Sequence, residues 1–142
     1  MSILTGDIEP TSGSAYINGS LLLGSAMTNH SMGYCPQIDP LLDQLNAFET
    51  LWFFGRIRGI PTDKLFIRIQ LLVEEVGLSK FAFKPCGSYS GGNRRKLSLA
   101  VSLIGNPSVI MLDEPSCGRR LLTIILVYSV TKLYAMYFTP VL

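Results

Sequence analysis

Two hydrophobic periods divide this chain. Leu65, Ile69, Leu72, Val73 and Val76 recur at spacings of three and four, which predicts an amphipathic helix opened by Pro61-Thr62-Asp63 and ended by Gly77. Just before it, Asn46-Ala47-Phe48-Glu49 has the form of a capping box, an N-cap side chain with a glutamate three residues on. The helix it opens runs through Leu51, Trp52 and Phe54 towards Gly59. A third helix starts at Ser90, carries Leu97, Ala100, Val101 and Ile104 as its buried stripe, and stops at Gly105-Asn106-Pro107. The pattern then changes. Residues 109–112 are a continuous apolar run, as in a strand buried on both faces of a mostly parallel sheet.

Residues 1–25 read as short strands and turns, with Pro10-Thr11-Ser12-Gly13 and Asn18-Gly19 as turn signals around a strand at Ala15-Tyr16-Ile17. Residues 32–45 form a loop-rich stretch around Pro36 and Pro40, with Gln37 at the end of a strand. Strands and helices alternate, so the fold class is α/β. The Trp52 and phenylalanine cluster belongs to a core or to a partner interface rather than to a cofactor box.

Composition changes this picture in three places. The 142 residues suit one domain, and 15% charged residues is low against the roughly 25% usual in soluble proteins. That points to a heavily buried domain or to one that leans on partners. The net charge of +2 is too small to argue for nucleic acid. Cys35, Cys86 and Cys117 are odd in number and form no Cys-x-x-Cys pair, which argues against a disulfide framework or zinc site and for a reduced, cytosolic setting. The N-terminus shows no secretory signal pattern.

All ten acidic residues lie at or before Glu114, and only Arg119, Arg120 and Lys132 carry charge after it. Residues 121–142 are about long enough to span a bilayer, with Arg119-Arg120 on the flank where a cytoplasmic anchor belongs. Lys132 lies mid-span, at a cost of about 2.5–3.5 kcal/mol on insertion scales, and weakens a membrane reading.

The candidate chemistry sits at two helix and strand ends. Ser90-Gly91-Gly92 opens a helix, where the dipole and free backbone N–H groups favour an anion and glycine lets a ligand approach the backbone. By itself this is also an ordinary capped helix start. Asp113-Glu114 follows the apolar run, where one acid can hold Mg²⁺ and its neighbour can orient an attacking water. By itself this is also a solvated acidic loop.

In conjunction these elements resemble a known family. Gln37 within Gly33-Tyr34-Cys35-Pro36-Gln37, then Ser90-Gly91-Gly92, then Asp113-Glu114-Pro115 are similar to the Q-loop, signature motif and Walker B motif of ATP-binding cassette (ABC) proteins. The resemblance covers roughly residues 3–118. Asn93 stands where the general family has glutamine, and Asn93-Arg94-Arg95-Lys96-Leu97-Ser98 resembles ABC subfamily A, whose members are large membrane-embedded lipid transporters.

The resemblance implies an incomplete P-loop NTPase-type α/β domain over residues 1–118, with a helical subdomain at about 45–84 and a divergent apolar tail at 119–142. It implies ATP and Mg²⁺ as cofactors. Gln37 would touch Mg²⁺ or the attacking water, and Ser90, Gly91, Gly92 and Asn93 would form the nucleotide-facing signature. Asp113 would hold Mg²⁺, and Glu114 would be the catalytic base or water positioner. The implied partners are a second nucleotide-binding domain and the transmembrane domains, at the cytosolic face of a membrane. The exposed part of residues 46–58 would face the coupling helices.

Several family features are not found. The phosphate-cradling loop is expected just before Met1, with the adenine-stacking aromatic further upstream. A switch histidine is expected about thirty residues past Asp113-Glu114, whereas the single histidine is His30. No D-loop aspartate follows Gly118, so residues 119–142 are either the next family helix after a small deletion or unrelated sequence such as intron read-through. Two other readings stay open: a truncated module that pairs with an intact cassette, and a soluble ABC ATPase of the translation or DNA-repair type.

Overall fold

In the computed structural model of the protein, the described residues are 11–13, 16–17, 20–21, 32–113 and 134–138. Strands β1 (Tyr16–Ile17) and β2 (Ser20–Leu21) pair antiparallel, Tyr16 opposite Leu21, across residues 18 and 19. That is the hairpin the Asn18-Gly19 signal predicts, although the two turn residues lie outside the described set. Strand β3 (Met32–Cys35) follows, so the first residues of the expected loop-rich stretch are a strand, and the loop begins at Pro36.

Helix α1 (Ala47–Ile57) begins as the capping box predicts. The Asn46 side chain accepts from the Glu49 amide at 3.0 Å, and the Glu49 carboxylate accepts from the Asn46 amide at 2.8 Å. Helix α2 (Thr62–Glu75) buries Leu65, Ile69, Leu72 and Val73, the face its periodicity marks. Both helices close the same way. Ile60 N–H donates to the Gly55 carbonyl and Gly59 N–H to that of Arg56; Leu78 N–H donates to Val73 and Gly77 N–H to Glu74. These paired bonds require a left-handed residue after the cap, which Gly59 (φ 73) and Gly77 (φ 68) supply.

Helix α3 (Gly91–Leu103) is the interior element. Every residue from 97 to 103 is buried, so it is covered on all sides beyond its second turn, well past the single stripe its sequence suggests. One flank is polar: Arg95, Ser98 and Ser102 recur at helical spacing and are all buried. That flank lies on β3, with Ser98 Oγ 3.5 Å from Cys35 Sγ. A Cβ on Gly33 would collide with the Ser102 carbonyl oxygen and reach within 2.9 Å of Pro107, so only glycine permits this approach.

Strand β4 (Val109–Asp113) pairs parallel with β3, Cys35 opposite Leu112, and parallel with β5 (Tyr134–Phe138), Asp113 opposite Phe138. The order is β3-β4-β5, and the apolar run is the middle strand, its residues 109–112 all buried, as a both-faces-buried strand demands. Of residues 119–142 only β5 is described, and it is a strand in this sheet; the rest of the expected apolar tail lies outside the described residues. Among the described residues no helix is long and apolar enough to cross a membrane.

The aromatic cluster divides between core and surface. Phe48 packs on Phe66 and Phe83, each at 5.5 Å between ring centroids, and leans on the core. Trp52, at 48% exposure, and Phe83, at 76%, remain open to solvent.

Candidate functional site

The predicted site residues that are described lie on three segments: the start of α3, the loop after β3 and the end of β4. The first is the start of α3. Ser90 is its N-cap, in extended conformation, and its Oγ accepts from the Asn93 N–H at 3.4 Å. The amides of the first helical residues, Gly91 and Gly92, have no intrahelical acceptor by the construction of a helix. Both glycines are exposed, and a Cβ built on either meets nothing within 4 Å. The turn is therefore open where backbone donors and the positive end of the dipole point outward, an arrangement worth about 0.3–1 kcal/mol to a surface anion. Asn93 is partly buried beside it.

The approach to Ser90 is held along the loop before α1. Ala47 N–H donates to the Ala82 carbonyl, Cys86 N–H to Leu45 and Gly87 N–H to Asp43, at 2.8–3.1 Å. Tyr89 is buried, and its hydroxyl donates to the Phe81 carbonyl at 2.6 Å. Burial pushes the Tyr89 phenol up from its ordinary pKa, and burial likewise pushes up the Cys86 thiol, against which Thr50 hydrogen-bonds. Neither group is poised as a nucleophile. They anchor the segment that presents Ser90.

The second segment is the loop after β3. Gln37 stands two residues beyond Cys35 and is exposed. The third is the end of β4, where Asp113 follows Leu112. Because β3 and β4 run parallel with Cys35 beside Leu112, Gln37 and Asp113 leave adjacent strands at the same, carboxyl edge. Ligands of open α/β sheets bind outside that edge. Glu114 lies outside the described residues, as does His30.

Two residues not singled out for a role from the sequence join the first two segments. Arg95, 6% exposed, donates from Nη1 to the Pro36 carbonyl, to the Gln37 carbonyl at 3.4 Å and to Asp39 Oδ1 at 3.2 Å. Arg94 turns outward to Asp43 Oδ1 at 2.6 Å and to the Cys86 carbonyl at 3.1 Å. The hydrogen bond to Asp43 raises the Arg94 pKa above its already high ordinary value, so this guanidinium stays charged. The available signal was positional: Arg95 falls on the helical spacing of Ser98 and Ser102, on the flank that must face β3.

The model of the ABC transporter family matches residues 1–117. The chain belongs to the ABC transporter family. Its curated relatives include ATP-binding cassette sub-family A member 2 of Rattus norvegicus, 49% identical over 117 residues, which are 82% of this chain and 5% of that protein. The retinal-specific phospholipid-transporting ATPase ABCA4 of Bos taurus is 44% identical over 117 residues, again 82% and 5%. ABC transporter A family member 5 of Dictyostelium discoideum is 42% identical over 119 residues, 83% of this chain and 7% of that one. The chain thus spans about a twentieth of the length of these subfamily A relatives. Among solved structures, an ATP-binding subunit of an ABC transporter superposes with a TM-score of 0.80 at 20% identity, covering 96% of this chain and 61% of that one. The fold is therefore that of an ABC ATP-binding domain, in part.

Proposed function

We propose that this chain is the signature-bearing part of the cytosolic ATP-binding domain of a subfamily A transporter, and that it meets ATP held by an opposing nucleotide-binding domain. Ser90, Gly91, Gly92 and Asn93 are its signature motif and contact the γ-phosphate. Asp113 holds Mg²⁺ at the end of a Walker B strand, Glu114 is the catalytic base or water positioner, and Gln37 senses the Mg²⁺ site. The observation that carries this reading is the open, serine-capped glycine turn at the start of α3, held against the Gln37 loop. Its exposed amides fit a phosphate by charge and by access. Mg²⁺ held at Asp113 would neutralise charge developing on the transferred phosphoryl group.

Membership of the ABC transporter family stands on the match over residues 1–117. Lipid as the transported substrate is an extension from the bovine relative, which is named as phospholipid-transporting. Residues 45–84, containing α1 and α2, form the helical subdomain of this reading. The exposed side of α1, with Trp52, Phe53 and Ile57, is the face turned towards the transmembrane domains.

The test is association with an intact subfamily A nucleotide-binding domain whose own hydrolysis is blocked, followed by sedimentation. Association with ATP and Mg²⁺ but not with ADP, lost in Ser90→Arg, is the expected result. Equal association with either nucleotide, or none with both, contradicts the reading.

A further inference from the structure

Arg95 occupies a costly position. A buried guanidinium is tolerated only when its donors are satisfied, and an apolar residue of similar volume often serves stability as well. Here one short loop supplies three acceptors: two consecutive carbonyls, of Pro36 and Gln37, and the Asp39 carboxylate. All three bonds leave from one nitrogen, Nη1, at the end of a long side chain that reaches from α3 to the loop. Pro36 has no amide hydrogen, so the chain cannot be held there by its own donor. The two peptide planes on either side of Gln37 are oriented instead from α3.

Those planes decide where the exposed Gln37 side chain stands. Arg95 also lies about one helical turn from Ser90-Gly91-Gly92 on the same rigid helix. From this geometry we infer that Arg95 is a positioning residue: it locks the Gln37 loop to α3, so that a shift of α3 on meeting nucleotide is carried to Gln37. The inference rests on the proposed function, under which the α3 turn faces the nucleotide of the opposing domain while Gln37 faces that of its own. Arg95 is then the physical link between the two sites. Arg94, bound to Asp43 at the far end of the same loop, gives it a second tether.

The test is amide hydrogen exchange at Gln37, Ile38 and Asp39 in the full chain, with and without the hydrolysis-blocked cassette domain and ATP·Mg²⁺. In the unaltered chain, docking of α3 slows exchange at these three amides. Arg95→Gln is expected to speed their exchange at least tenfold and to make it insensitive to the docked domain. Arg95→Lys, which keeps the charge for Asp39 on a shorter side chain, falls between. Arg68→Gln is the control, since Arg68 is a partly buried guanidinium on the Leu103 carbonyl at the other end of α3. It should lower overall stability and leave the three amides as they were.

Unchanged exchange in Arg95→Gln, a docking response that survives in it, or the same loosening in Arg68→Gln overturns the inference. If the unaltered chain associates without regard to ATP, the proposed function fails. The exchange comparison without partner then still decides whether Arg95 holds the loop.

Discussion

Gly91 and Gly33 show how one residue type serves two ends. Gly33 is glycine because a strand and a helix touch there; Gly91 has empty space around it, so packing does not require glycine, and under the proposed function its backbone is open to a ligand. Gly91→Ala should therefore leave the urea midpoint unchanged or slightly higher, since alanine is the better helix former. It should nevertheless weaken ATP-dependent association at least tenfold. A loss of stability in step with the loss of association would contradict this assignment.

A second residue-scale prediction concerns pH. The unfolded chain ionises the Cys86 thiol near its ordinary value of about 8.5, while burial keeps the folded thiol protonated to higher pH. Between the two values the folded state binds more protons, so stability is complete below the ordinary value and falls as pH rises through this window. The urea midpoint should drop as pH rises above the ordinary thiol value, and Cys86→Ala should flatten the part due to the thiol. Identical slopes in both proteins would rule the thiol out.

At the scale of elements, what was legible depended on whether the information is local. The α1 capping box, the two glycine stops, the apolar face of α2 and the middle strand are each written within a few residues, and each stands where the pattern places it. The full burial of α3 was not legible, because Arg95, Ser98 and Ser102 look solvent-facing until β3 is laid against them. The Arg95 link was hidden for the same reason, since its partners lie 56–59 residues away in sequence. Strand β5 was hidden too, since Lys132 argues against a membrane segment but nothing in the largely apolar tail marks which residues pair with β4. The α3–β3 contact gives an element-scale prediction: Gly33→Ala should cost about 1–3 kcal/mol, because the new methyl meets a backbone carbonyl rather than a pliable side chain. Chemical denaturation measures it, and a neutral result would mean that β3 and α3 are not in contact as described.

For the molecule as a whole, Arg94 and Arg95 tie the start of α3 to the loop that follows β3 at the carboxyl edge of the sheet. Under the proposed function the backbone amides and the Ser90 hydroxyl at the start of α3 receive a phosphate that the opposing domain holds. A polypeptide of this sequence alone should accordingly show no ATP hydrolysis above background, and activity abolished by Glu114→Gln would contradict that.

The most direct test of the central claim is complementation. An intact subfamily A nucleotide-binding domain, disabled only at its own signature serine, is assayed for ATP hydrolysis with and without this chain. The account predicts that the chain restores hydrolysis and that its Ser90→Arg variant does not. No restoration, or restoration indifferent to Ser90, would contradict the claim that this helix start completes an ATP site.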